Sequence, residues 1–502
     1  MKKGIVYLWV QMGYLTLVIL LFLFSFLIYR NIFKADISRT DLLIGWGIKI
    51  SFSLVFILIF SYHFSSDGVP YGDIRNFLND AKVLTDFGKE DPVGYLKLML
   101  GIQSDDPEIL TTALSETQIW DYGITGDMIN DNRLIIRINS VIHLFSFQNI
   151  WVHVLCFAFI SFFGVVLIYR SFSSYTQHKR LLFYALLATP TFAFWGSGIT
   201  KETVFVLSFG IFVFGTTQFL QRKHFKYIIF ILIGAGMLLF NKTHTGLVLI
   251  PLTGFVFIAY KTGLNRKIIA SFLSVLILSF VVLNFTPPRF NVVDRLSAKQ
   301  SDLINVAQGG IFFINDTAFC AFDYQHLDHF QYYPEDNRIQ VTEKTSGEYK
   351  PFGQREFYPF EIEKSPRKYE VYLVIPPSDT YVDVAPIEGS SLQLLKNIPA
   401  AIFNVMFRPL PTDPGSNFKH IAFVENLGFI AFLIFAFIRR KKLSEAEKTW
   451  LFYLLSSAVI LILVIGWTTP IVGAIVRYKM VAQLLLILSA FILLRKEKPI
   501  KT

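Results

Sequence analysis

The residues most able to do chemistry sit in short polar turns between long apolar runs. Two acids, Asp67 and Asp73, bracket the turn D-G-V-P-Y-G-D. Lys201 and Glu202 close the tight turn G-S-G-I-T-K-E, and Asn241, Lys242 and His244 form the next one, N-K-T-H. Arg408 stands in F-R-P, Glu425 and Asn426 lie just inside a late apolar run, and Arg477 and Lys479 open the last one in V-R-Y-K. Arginine and lysine hold phosphate charge, the first through a planar fork and the second as a point charge. A carboxylate beside them could take the proton of an attacking hydroxyl. The set therefore describes a site for a phosphorylated, polar substrate. The acids on hand are Asp67, Asp73, Glu202 and Glu425, with Lys201, Asn241, Lys242, His244, Arg408, Arg477 and Lys479 to surround the substrate. A divalent cation could assist, but no His/Cys/Asp spacing demands one, so no metal ligand and no other cofactor is assigned.

Each residue also has a plainer reading. Asp73 is placed to cap a helix beginning at Ile74, and Asp67 to close a solvated turn. Lys201 and Glu202 could pair with each other and tighten a hairpin. Lys242 and His244 could be ordinary interfacial residues, Arg477 and Lys479 could snorkel to headgroups, and Arg408 could anchor a helix to lipid phosphate. Glu425 resists such a reading, because a carboxylate inside a span needs a partner. The weight lies in the coincidence of all these positions at one membrane level.

The elements that must hold them there are apolar helices. The chain is 53% hydrophobic and only 17% charged, against roughly a quarter charged in soluble domains. Apolar runs long enough for a ~30 Å hydrocarbon core recur along it. They predict an all-α integral membrane fold of about eleven spans, near 6–29, 43–62, 150–169, 181–199, 203–220, 227–240, 246–260, 268–285, 420–438, 449–466 and 480–494. The first run is too long, and lacks a cleavage site, to be a removable signal peptide. The net charge of +10 falls in clusters at span ends rather than in a nucleic-acid-binding stripe. Lys and Arg number 21 on one set of alternate span ends and 6 on the short segments of the other, which puts the C-terminus in the cytoplasm and both long segments outside. Lys2 and Lys3 oppose the first span; the other spans agree. Cys156 lies in a span and Cys320 in a large loop, so no disulfide framework is implied. No internal repeat is evident, which disfavours transporter folds built from matched halves.

This divides the chain into two spans (1–62), an outer segment (63–149), six spans (150–285), a second outer segment (286–419) and three C-terminal spans (420–502). In the first outer segment Ile74, Phe77, Leu78, Ala81, Leu84 and Phe87 have helical spacing, as does the run 134–145, and both would lie apolar face down at the interface. The second is punctuated by Pro and aromatics and alternates over 369–375, Y-E-V-Y-L-V-I. It reads as a small mixed α/β domain followed by an amphipathic helix over 392–407.

An acid just outside an early span, followed by interfacial helices, resembles the GT-C class of membrane glycosyltransferases. The matching segment is 67–81, D-G-V-P-Y-G-D-I-R-N-F-L-N-D-A. P-T-F-A-F-W-G-S-G-I-T-K-E, N-K-T-H-T-G, F-R-P-L-P with Glu425-Asn426, and V-R-Y-K are similar to multispan proteins encoded with bacterial surface-polysaccharide genes. The resemblance spans most of the chain outside 286–400. It departs from the class in placing the acidic loop after the second span rather than the first. It implies an enzyme of the bacterial inner membrane that moves a sugar from a polyprenyl phosphate or pyrophosphate donor to a glycan, lipid or protein acceptor, on the outward face, with Asp67 or Asp73 as the base. Nucleic acid has no part in that reading; the lipid bilayer does. An oligosaccharide polymerase or ligase would lean on arginine rather than aspartate. A lipid-linked-sugar flippase or transporter, with no chemistry, would place polar groups deep in the spans.

Overall fold

The computed structural model describes residues 2–121, 129–287, 290–316, 318–352 and 357–495. Lys496, Lys498 and Lys501 of the C-terminal basic run lie outside the described residues. Among those described, eight helices are long and apolar enough to cross a membrane: Gln11–Tyr29, Arg39–Tyr62, Ile150–Phe172, Lys201–Arg222, Thr243–Thr262, Arg266–Asn284, Phe418–Ile438 and Glu445–Thr468. A ninth forms if Val472–Tyr478 and Met480–Leu493, bent by 42° at Lys479, count as one span. This is the architecture of a helical membrane protein. Two expected spans take a different form. The run 181–199 breaks at Thr189-Pro190 into Lys179–Ala188 and Pro190–Trp195, because proline has no N–H to continue the ladder. The run 227–240 is the helix Lys226–Asn241, only 16 residues long.

The contacts at the span ends fall into two groups. At one end Lys179 pairs with Asp36 at 2.8 Å, Arg180 with Asp41 at 2.9 Å, and Lys441 with Glu447 at 2.5 Å. The other end carries the long segments, and is here termed the sheet-bearing face. Helices Ile150–Phe172 and Lys201–Arg222 meet at two glycines; a Cβ on Gly210 would sit 2.6 Å from the carbonyl oxygen of Gly164. Such close backbone contact suits helices that pack without a hydrophobic driving force between them.

The two amphipathic helices of the first long segment are Asp73–Glu90 and Arg133–Ser146. Their apolar faces pack on each other. Ile74, Phe77, Ala81 and Leu84 are buried with Ile135, Ile136, Leu114 and Trp120. The reason is local: Asp80, fully buried, accepts from the backbone N–H of Gln118 and Ile119 at 2.8 and 2.9 Å and draws the connecting loop over both helices.

The second segment is a seven-stranded antiparallel sheet: β1 Gly310–Asn315, β2 Ala318–Asp323, β3 Phe330–Tyr333, β4 Arg338–Val341, β5 Thr345–Pro351, β6 Tyr358–Ile362 and β7 Lys368–Ile375. The order is β3-β4-β7-β1-β2-β5-β6, with a register shift between Phe312 and Phe313. Ile311, Phe313, Cys320, Phe322, Ile339 and Val371 fill its core from alternate positions. The alternation over 369–375 marked β7 alone among these strands. On the other face of the sheet the Tyr372 hydroxyl donates to the Gln118 carbonyl, tying sheet to loop. The expected helix over 392–407 is two, Ser391–Lys396 and Ile398–Phe407, interrupted at Asn397. Cys156 and Cys320 are both free and buried.

Candidate functional site

The polar residues that converge all sit where a helix starts, ends or breaks. Thr200 caps the helix that Lys201 and Glu202 begin, accepting from the Thr203 N–H, and an acid in that first turn faces the positive end of the helix. Lys242 is the single residue between two helices, and Arg477 lies beside the 42° bend. Gly72 holds φ +69° and ψ −143°, a conformation open to glycine, and so turns the chain into the helix that starts at Asp73. Asp73 is thus the first helical residue and not the cap.

Glu202 is the centre. Its side chain is 0% exposed and meets Lys242 Nζ at 2.8 Å and Arg477 Nε at 3.0 Å. Both are buried charge pairs. Arg477 also donates from Nη1 to Asp73 Oδ2 at 2.8 Å, and its guanidinium lies 5.5 Å from the centre of the Trp195 ring. One arginine therefore joins a buried carboxylate to a carboxylate that is 53% exposed. Lys201 turns aside from its neighbour and pairs with Asp131 at 2.7 Å and the Asn132 side-chain oxygen at 3.0 Å. Asn241 donates to the Lys201 carbonyl at 2.8 Å, and Lys242 lies 5.3 Å from the Tyr478 ring centre. His244, exposed, stands within the fields of Lys242, Asp131, Lys299 and Lys201. Burial works against ionising Asp73, but the charges of Arg477 and Lys201 outweigh it and hold the carboxyl below its ordinary value.

The remaining expected residues are placed elsewhere. Asp67 is exposed and closes its own turn, accepting from Ser65 Oγ at 2.6 Å, the Val69 N–H at 3.0 Å and Arg75 at 2.8 Å. The Ser65 hydroxyl, the Val69 N–H and Arg75 together keep its carboxyl low. Glu425 finds its partner at the broken helix, where both oxygens take the Thr191 N–H at 2.9 and 3.1 Å and the Thr191 hydroxyl donates at 2.6 Å. Arg408 pairs with Asp413 and donates to Asn404. Lys479, one residue past Tyr478, donates to Asn426 Oδ1 at 2.7 Å and the Arg408 carbonyl at 2.9 Å, forming a second, buried polar knot. So Asp73, Lys201, Glu202, Asn241, Lys242 and Arg477 come together, with His244 at the margin. Arg408, Glu425 and Lys479 belong to neighbouring contacts, and Asp67 to a turn.

Sequence reading missed Asp131 and Asn132, and also Trp195 and Tyr478, which lay inside recognised motifs. It also missed Lys49. That lysine lies within the Arg39–Tyr62 helix, fully buried, its Nζ 5.8 Å from the Phe192 ring centre and without a hydrogen-bond partner among the described residues. Among the described residues no group of three or more His, Cys, Asp or Glu side chains is arranged to hold a metal ion.

Comparison of the chain with protein-family models, with curated proteins and with solved structures finds no match to any of them.

Proposed function

We propose that the protein is a GT-C-like glycosyltransferase of a bacterial inner membrane, moving a sugar from a polyprenyl-linked phosphate or pyrophosphate donor to an acceptor hydroxyl at the sheet-bearing, extracytoplasmic face. One observation carries this reading: a half-exposed carboxylate, Asp73, rests against an arginine whose other side is anchored in the protein interior. In the reaction the acceptor oxygen attacks the anomeric carbon as the carbon–oxygen bond to phosphate breaks, and the electron pair leaves with the phosphate. Asp73 takes the acceptor proton, and Arg477 with Lys201 stabilises the charge left on the phosphate. Lys242 and Glu202 position Arg477 from below. The helix led by Asp73 sets this base against Arg477.

A second reading, a lipid-linked-sugar transporter without chemistry, is favoured by Lys49, because a buried charge-bearing group deep in a span often marks a path. Proteoliposomes carrying wild-type protein and a mixed pool of polyprenyl-linked sugars separate the two. Transfer predicts a new glycosidic product by mass spectrometry; donor that crosses the bilayer with no product would replace the transferase with the transporter.

A further inference from the structure

Arg477 contacts two carboxylates that differ sharply in their surroundings. Glu202 is 0% exposed and also held by Lys242 at 2.8 Å, whereas Asp73 is 53% exposed. The guanidinium itself is 18% exposed, and Trp195 backs one of its faces. An anion arriving from the open side must compete with one of the two carboxylates. Displacing Glu202 would leave a fully buried carboxylate with one of its two cations, Lys242, and a buried charge that loses a partner carries a large penalty. Displacing Asp73 breaks a pair whose carboxylate is already 53% exposed, and an exposed partner costs less to release than a buried one. Arginine also offers phosphate the same planar fork that it offers a carboxylate.

We infer that Arg477 is an exchange point: a phosphate group of the donor takes the place of Asp73 on Arg477, while Glu202 keeps the guanidinium fixed. This rests on the transferase reading and deepens it. Asp73, released, rotates free of its cation and is then ready to accept the acceptor proton. Donor and base are thereby coupled, so that the base is armed only when a phosphate is seated. The order of binding follows, with the anionic donor first and the hydroxyl acceptor second. Arg477 in this scheme is both a phosphate ligand and the positioning residue for Asp73.

The test is calorimetric titration of inorganic pyrophosphate into the purified full-length protein, as wild type, Asp73→Asn and Asp86→Asn. Asp86 is an exposed acid on the same helix whose ion pair is with Lys89. Removing the competing carboxylate is expected to tighten pyrophosphate binding about fivefold in Asp73→Asn, or about 1 kcal/mol at 1.4 kcal/mol per tenfold. Asp86→Asn controls for the lost negative charge and should leave affinity within twofold of wild type. Asp73→Ser, which also lacks the carboxylate, should match Asp73→Asn and guards against a folding defect peculiar to the amide.

Unchanged or weaker binding in both Asp73 variants would overturn the exchange, as would equal tightening in Asp86→Asn, or no pyrophosphate binding by any form. The two layers of the proposal separate cleanly. Tighter binding with no sugar transfer by wild type would keep the exchange and remove the transferase. Transfer by wild type, with no gain in affinity in the Asp73 variants, would do the reverse.

Discussion

Replacing Glu202 by Gln should be among the most destabilising single changes at the sheet-bearing face. The side chain is 0% exposed, and its oxygen faces Lys242 at 2.8 Å and Arg477 at 3.0 Å. Arg477 keeps Asp73 after the change, but Lys242, 3% exposed, keeps no carboxylate. Removing one partner of a buried pair leaves an uncompensated charge and costs about 3–5 kcal/mol. Lys242→Met removes the stranded ammonium and retains its apolar stem. The double variant Glu202→Gln/Lys242→Met should therefore recover at least about 1–3 kcal/mol relative to the sum of the singles. Reversible denaturation in mixed micelles, run as a double-mutant cycle, measures this coupling. A Glu202→Gln loss below about 0.5 kcal/mol, or strict additivity, would show that Glu202 is not the charge on which the cluster depends.

Three other outcomes are expected. Gly72→Ala forces a Cβ into φ +69° and should cost about 1–2 kcal/mol, with a parallel fall in any activity that needs Asp73, both read on the same purified sample. Asp80→Asn offers one acceptor where two oxygens now receive backbone N–H groups, and should cost about 1–3 kcal/mol by the same denaturation assay. Burial raises the Asp80 carboxyl to about 6 despite those bonds. The folded form thus binds the proton more tightly than the unfolded chain, and this group's contribution is full below about pH 4 and declines as pH rises towards 6. Asp73 is shifted the other way, so its pairing persists above the ordinary carboxylate value and is lost only as pH falls through the lowered one. The acid limb of kcat/KM, which reports the free enzyme, should accordingly lie at lower pH than that of kcat, in which Arg477 has changed partner. Coincident limbs would refute the exchange.

Much of this was legible in the chain. Long apolar runs mark the membrane-length helices, because length and apolarity are what a bilayer crossing demands. Polar residues at the short turns pointed to Asp73, Lys201, Glu202, Asn241, Lys242 and Arg477, since few other groups sit near those helix ends. Partners separated by hundreds of residues were not legible. Glu425 meets Thr191, and Asp73 meets Arg477, through packing that no local pattern encodes. Asp67 and Asp73 look alike in sequence. Only the fold shows that Arg75 folds back on the first and leaves the second to Arg477. Lys49 escaped notice because a single lysine barely changes the mean hydropathy of a long run. The breaks at Thr189-Pro190 and Asn397 depend on proline geometry within segments whose composition still reads as continuous helix.

The central claim is that Asp73, and not Asp67, does the chemistry. Initial rates of sugar transfer from polyprenyl-linked donors, measured side by side for wild type, Asp67→Asn and Asp73→Asn of matched thermal stability, test it most directly. Loss of transfer in Asp73→Asn alone, by at least about a hundredfold as expected for a removed general base, is the predicted result. Wild-type rates in Asp73→Asn, or loss confined to Asp67→Asn, would contradict it.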